Sequence, residues 1–324
     1  MAACSSVLSR DCATSTLAAT FGPSVAGEVC VLAASGEMFR LGLAGAFIGG
    51  TMARAQRPGN FLGARWSEAI MDSDIVLWGG LDPAGEAGLA ADLEMCNFMG
   101  IQPRIVLTAR TAQRTGVWVD AWAVDGDEVS RVTEALPKAA YGRRAVKTGM
   151  LGSIANMLLC KRFCGESGLP LIVDPVWRAS SGGSMWPTDD EAEVRAAMLN
   201  DLLPGATCVT PNWMELQWLT GLLYNDLDGA VAAMRILPCP VVLKGGHAPD
   251  HRLVGVDLLW DGEKLHVYEP VARAWPRGLR GTGCRFATGL AAGIARRQGL
   301  PAAVDGAKGG LRDLVEKRAC ISRV

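Results

Sequence analysis

The chain has 324 residues, 49% of them hydrophobic and 20% charged, with a formal net charge of −1. That balance is globular, and the length allows a substantial core. Near-neutrality argues against a nucleic-acid or membrane-surface role that rests on bulk electrostatics. Its ten cysteines include no C-x-x-C pair, and only three histidines accompany them. This speaks against a zinc site and against a disulfide framework, and fits a reducing, cytoplasmic setting. The apolar segment 41–53 is far shorter than the roughly 20 residues that span a bilayer, so no membrane partner is expected.

Residues 1–70 are rich in Ala, Gly and Ser and show no clear apolar period. They are read as an N-terminal extension, disordered or foreign to the functional protein, with a targeting peptide as the weaker alternative. Residues 71–324 are read as the domain. A strand at Ile75–Trp78 runs into a Gly-rich turn and a helix with Leu89, Leu93 and Cys96 on one face. Further strands are predicted at 104–109, 144–149, 171–175, 206–211, 240–246, 257–260 and 265–270. Helices are predicted near 127–139, 153–167, 189–202, 226–236, 284–298 and 301–318. Alternation of this kind gives an α/β fold with a mainly parallel sheet covered on both faces. The "DGEK" at 261–264 is a hairpin signal that predicts one antiparallel edge.

In such a sheet, ligands bind beyond the carboxyl ends of the strands. Asp82, Asp174, Asn212 and Lys244 all follow predicted strands. The "GTGC" at 281–284 joins a tight glycine turn to a helix whose apolar face is Ala287, Leu290, Ala291 and Ile294. Its N-terminus offers free N–H donors and partial positive charge, an anion site that also favours a thiolate. Cys284 there is suited to take a proton from a substrate hydroxyl. The plainer reading is a glycine turn with a buried, inert cysteine. Lys244 needs an anionic partner such as a nucleotide phosphate, or else reaches solvent along its stem. Asn212 and Glu215 read as ligands of a hydrated Mg²⁺ or as a helix-capping box, two compatible roles. Asp174 precedes Pro175 and reads either as part of a site or as a turn starter.

In order and spacing, "GGLDPAGEAGLAADL", "TARTAQRTGV", "AVKTGMLGS", "LIVDPV", "VTPNWMEL", "VVLKGGH" and "GTGCRFATGLAAGIA" resemble the hydroxymethylpyrimidine/phosphomethylpyrimidine kinases of the ribokinase-like superfamily. The likeness covers about Ser73 to Gly299, and Cys rather than Asp in "GTGC" points to this branch. It implies a three-layer α/β/α domain. The implied activity is ATP- and Mg²⁺-dependent phosphorylation of 4-amino-5-hydroxymethyl-2-methylpyrimidine in thiamine biosynthesis, followed by a second phosphorylation of its monophosphate. It further implies that Asp92 and Gln113 hydrogen-bond the pyrimidine, in a pocket lined by Gly80, Met150 and Val176. Lys244 would neutralise ATP phosphates, and Gly281, Thr282 and Gly283 would form the anion hole beside Cys284, the base. Asp174, Asn212 and Glu215 would organise Mg²⁺ and its waters. A homodimer is expected.

Three positions depart from the family pattern. Leu81 stands where a small Ser or Thr is usual, Glu86 where Gly is, and Arg280 where His is. Leu81 narrows the substrate loop, Glu86 disfavours a phosphorylated substrate, and Arg280 offsets that charge. Two rival readings are a pyridoxal-type kinase and a catalytically weak pyrimidine- or nucleotide-binding sensor.

Overall fold

Alternate residues of each short apolar strand enter two different cores. In the computed structural model, Val76, Trp78, Leu171, Val173 and Leu243 face one core, whereas Ile75, Leu77, Ile172 and Val242 face the other. That is the period of two expected of strands covered on both faces. The structure describes residues 28–32, 38–42, 73–114, 117–136, 143–179, 182–270 and 279–321.

Residues 1–61 form a unit of their own, within which β1 (Glu28–Leu32) and β2 (Met38–Gly42) pair antiparallel. The expectation that 1–70 is an extension otherwise falls outside the described residues.

The second unit holds a nine-stranded sheet. Its strands are β3 (Ser73–Leu81), β4 (Gln102–Arg114), β5 (Val117–Ala123), β6 (Arg143–Thr148), β7 (Leu171–Val173), β8 (Cys208–Val209), β9 (Val241–Leu243), β10 (Asp257–Trp260) and β11 (Leu265–Tyr268). The spatial order is β11-β10-β9-β8-β7-β6-β3-β4-β5. The six central strands run parallel. β10 and β11 form the antiparallel edge that "DGEK" predicts. β5 adds a second antiparallel edge, on β4, that the sequence reading does not foresee.

Helices α1 (Gly88–Met99), α7 (Thr282–Ala295) and α8 (Leu300–Ile321) pack on one face, through Leu89, Leu290 and Ala307. The opposite face carries α3 (Ile154–Ser167), α5 (Trp213–Thr220) and α6 (Leu227–Arg235), through Met157, Leu216 and Met234. α2 (Gly126–Ala135) and α4 (Glu191–Ala197) complete the helices, and α4 runs on through a π turn at Met198–Leu202. The result is the three-layer α/β/α arrangement.

Candidate active site

Two loops at the carboxyl ends of the strands close on each other through glycines. Asp82 accepts from the backbone N–H groups of Ala84 and Ala87, both at 3.0 Å, and so folds the 82–88 loop. Gly281, with φ +71°, sits where an added Cβ would lie 2.4 Å from the Glu86 carbonyl oxygen. Only a residue without a side chain permits that approach in the left-handed region. Arg285, 1% exposed, donates to the Arg280 carbonyl at 2.7 Å and to the Glu86 carbonyl at 3.3 Å, tying the two loops together. Its Nε also donates to Glu94 at 2.7 Å.

Gly281 caps α7, so Thr282, Gly283 and Cys284 occupy its first turn, where backbone N–H groups have no partner within the helix. Lys244 stands over this turn: a Cβ on Gly283 would lie 3.2 Å from its Nζ. Nζ also donates to Asp174 at 2.6 Å and lies 3.7 Å from Glu215. Burial pulls the Lys244 pKa down, but the charges of Asp174 and Glu215 more than restore it, so the ammonium is held firmly. Burial pushes Glu215 up to about 7, against the pull of Lys244. Asn212 and Glu215 complete a capping box, with bonds of 2.7 and 2.9 Å. Both carboxylates therefore face the same lysine, Asp174 from the end of β7 and Glu215 from the first turn of α5.

The thiol of Cys284 corrects one expectation. Burial raises its pKa to about 11, and nearby Asp92 and Asp174 push the same way. The Lys147 ammonium and a backbone contact at Gly88 pull it down, but not enough. The resting group is a thiol, not the thiolate that the helix N-terminus alone suggests. Arg285, which the sequence places beside the thiol, spends its charge on Glu94 instead.

A cleft of about 570 Å³ contains this turn. Gly80, Asp92, Gln113, Met150 and Val176 line it, as do Asp174, Asn212, Glu215, Lys244 and the 281–284 turn. Leu81, Asp82 and Arg280 line it as well, whereas Glu86 does not. Gly80 and Met150 are in close contact, a Cβ on Gly80 falling 3.0 Å from the Met150 sulfur. Gln113 accepts from Arg280 at 2.9 Å and donates to Thr111 at 3.2 Å.

Asp92 is differently placed from Gln113. Both its oxygens accept from Lys147, each at 2.8 Å, and one also accepts from Thr288 at 2.8 Å. It is 1% exposed. The geometry makes it the partner of a buried lysine, although it also lines the cleft. Lys147 and Thr288 are absent from the sequence reading. The signal was available: a lysine inside the apolar strand "RAVKTG" needs a buried anion.

Among the described residues, no helix is long and apolar enough to cross a membrane, and no three His, Cys, Asp or Glu side chains cluster as a metal cage.

The sequence profile of the family described as phosphomethylpyrimidine kinase matches residues 82–323, which takes in the cleft apart from Gly79, Gly80 and Leu81. The chain belongs to that family. It is 34% identical over 233 residues to a hydroxymethylpyrimidine/phosphomethylpyrimidine kinase of Streptomyces coelicolor, covering 71% of this chain and 83% of the relative. A kinase of the same description from Synechococcus elongatus is 36% identical over 237 residues, covering 71% and 86%. The fold is also that of a phosphomethylpyrimidine kinase from Clostridium difficile, with TM-score 0.62 and 25% identity over 74% of this chain and 98% of the other. A Staphylococcus aureus pyridoxal kinase, in complex with AMP-PCP and pyridoxal, gives TM-score 0.63 and 26% identity over 75% and 88%. Membership of the family makes the protein a phosphotransferase, and the ribokinase-like architecture expected from its motifs is the one found.

Proposed function

We propose that this enzyme transfers the γ-phosphoryl group of ATP to the hydroxyl of 4-amino-5-hydroxymethyl-2-methylpyrimidine. The observation that supports this most directly is a single cleft lined by the carboxamide-bearing Gln113, by Lys244 and by the helix-start turn that ends in Cys284. An aminopyrimidine offers a ring nitrogen beside an amino group, and a carboxamide complements that pair with one donor and one acceptor. The hydroxymethyl group then points to Cys284, and its oxygen attacks the γ-phosphorus as the bond to the β–γ bridging oxygen breaks and ADP leaves. Cys284 takes the hydroxyl proton in its thiolate form, the minor one at neutral pH because burial raises its pKa to about 11. The N–H groups of the 281–284 turn and the Lys244 ammonium meet the charge on the transferring phosphoryl oxygens. Positioning and charge neutralisation supply most of the rate.

A divalent cation fits the donor set. Asp174 and Glu215 are hard oxygen donors beside Asn212, and Mg²⁺ is commonly held by one or two carboxylates with waters between. These residues would hold the ion, which would supply charge neutralisation on the ATP phosphates. Also proposed are a homodimer, a cytoplasmic location, and an extension at residues 1–70 that the kinase domain does not need. Pyridoxal is the second candidate acceptor, on the likeness to the S. aureus kinase bound to pyridoxal. A side-by-side assay with both acceptors separates the readings.

A further inference from the structure

Two of the three departures from the family pattern meet in the structure, although 194 residues separate them. Arg280 Nη1 lies 3.4 Å from the Glu86 carboxylate, and its Nη2 donates to Gln113 Oε1 at 2.9 Å. The Arg280 side chain is only 13% exposed, and it directly precedes the Gly281 turn. The Glu86 backbone is held in place, its carbonyl packing on Gly281 and accepting from the buried Arg285, while its side chain is 38% exposed. Arg280 therefore carries two duties. It holds the carboxamide of Gln113 in one orientation, with the amide nitrogen directed to Thr111, and it pairs with the partly exposed Glu86 carboxylate.

We propose that Glu86, Arg280 and Gln113 form a specificity element that favours the uncharged pyrimidine alcohol over its monophosphate as acceptor. The proposal rests on the pyrimidine kinase reading above and concerns the second phosphorylation that the relatives' description includes. In that step an oxygen of the substrate phosphate bonds to the γ-phosphorus, the bond to the bridging oxygen breaks, and ADP leaves. The acceptor is then a dianion beside the Gly281 turn. It meets a guanidinium already paired with Glu86, and the Glu86 carboxylate, partly exposed beside the cleft, repels it. Recruiting Arg280 to the phosphate also pulls it off Gln113, so phosphate binding and ring recognition compete for one side chain. The neutral alcohol meets neither penalty. Discrimination is built from an unfavourable contact with the wrong acceptor as much as from favourable ones with the right acceptor.

The test is the ratio of kcat/KM for the monophosphate to kcat/KM for the alcohol, measured with ATP in the full chain. Glu86→Gln keeps the shape and removes the charge, and the ratio should rise at least tenfold. Arg280→Met should lower the ratio and raise KM for the alcohol through a loosened Gln113. The double variant should lose the gain of Glu86→Gln, because that gain requires the freed guanidinium. Calorimetric binding of the monophosphate without ATP should show the same order. An unchanged ratio in Glu86→Gln, or a gain that persists in the double variant, overturns the proposal while leaving the kinase reading intact. A wild-type enzyme that uses pyridoxal and neither pyrimidine overturns that reading, and the proposal with it.

Discussion

Lys147 Nζ lies 2.8 Å from both carboxylate oxygens of Asp92, and the two side chains are 0% and 1% exposed. The pair joins β6 to α1, and Thr288 ties it to α7 one turn beyond Cys284. Breaking a buried pair on one side leaves an uncompensated charge, at a cost of about 3–5 kcal/mol. Lys147→Met should lose that much in urea unfolding. Lys147→Met with Asp92→Leu should recover most of it, since two apolar side chains replace the two charges. A loss under about 1 kcal/mol in the single variant would mean that the pair behaves like an exposed one.

The Cys284 thiol, with its pKa raised to about 11 by burial, is protonated at neutral pH. Its alkylation by iodoacetamide, followed by peptide mass, should therefore keep rising with pH beyond 9 instead of levelling near neutrality. Bound pyrimidine should protect it. Cys284→Ser should lower kcat by about 10²–10⁴, the usual loss for a general base, with little change in pyrimidine affinity. Near-full kcat in that variant would reduce the thiol to packing.

Glu215 titrates near 7 because burial disfavours its charge. Its carboxylate is the form that serves Lys244 and a cation, so kcat/KM for ATP should fall as pH drops through about 7. Glu215→Gln should be less active and lack that acid limb. Stability runs the other way. A folded pKa above the ordinary 4.5 means that this group favours the folded state most below 4.5, and that the contribution is lost as pH rises to about 7. Unfolding free energies of wild type and Glu215→Gln across that window check the sign.

Two glycines should respond oppositely to alanine. Gly281→Ala meets a φ of +71° and the Glu86 carbonyl at 2.4 Å, so the loops must part. It should cost about 1–3 kcal/mol and most of the activity. Gly165, inside α3, has nothing within 4 Å of an added Cβ. Gly165→Ala should raise stability by about 0.4–1 kcal/mol, as read from thermal unfolding.

How much of this the sequence shows depends on whether a signal is local. The parallel strands and their helices are legible because apolar runs such as "LIV" and "VVL" are buried at every residue between Gly and Pro breaks. β5 is not, because Val119 and Trp122 of "VWVDAWA" lie exposed on an edge strand and break the alternation. Lys244 stands out at a strand end, whereas Lys147 hides inside one, although the same desolvation argument applies to both. The Glu86–Arg280 contact has no local trace at all. The resting thiol of Cys284 is also invisible in sequence, since a helix N-terminus can be read from "GTGC" but the depth of burial cannot.

The most direct test of the central claim is coupled ATP consumption by the full chain, with the hydroxymethylpyrimidine alcohol and pyridoxal compared side by side and products identified by mass. The account predicts a kcat/KM for the pyrimidine at least about tenfold above that for pyridoxal, a gap of about 1.4 kcal/mol in transition-state stabilisation, and a product heavier by one phosphoryl group. Equal or better use of pyridoxal, or no phosphorylated pyrimidine at all, would contradict it.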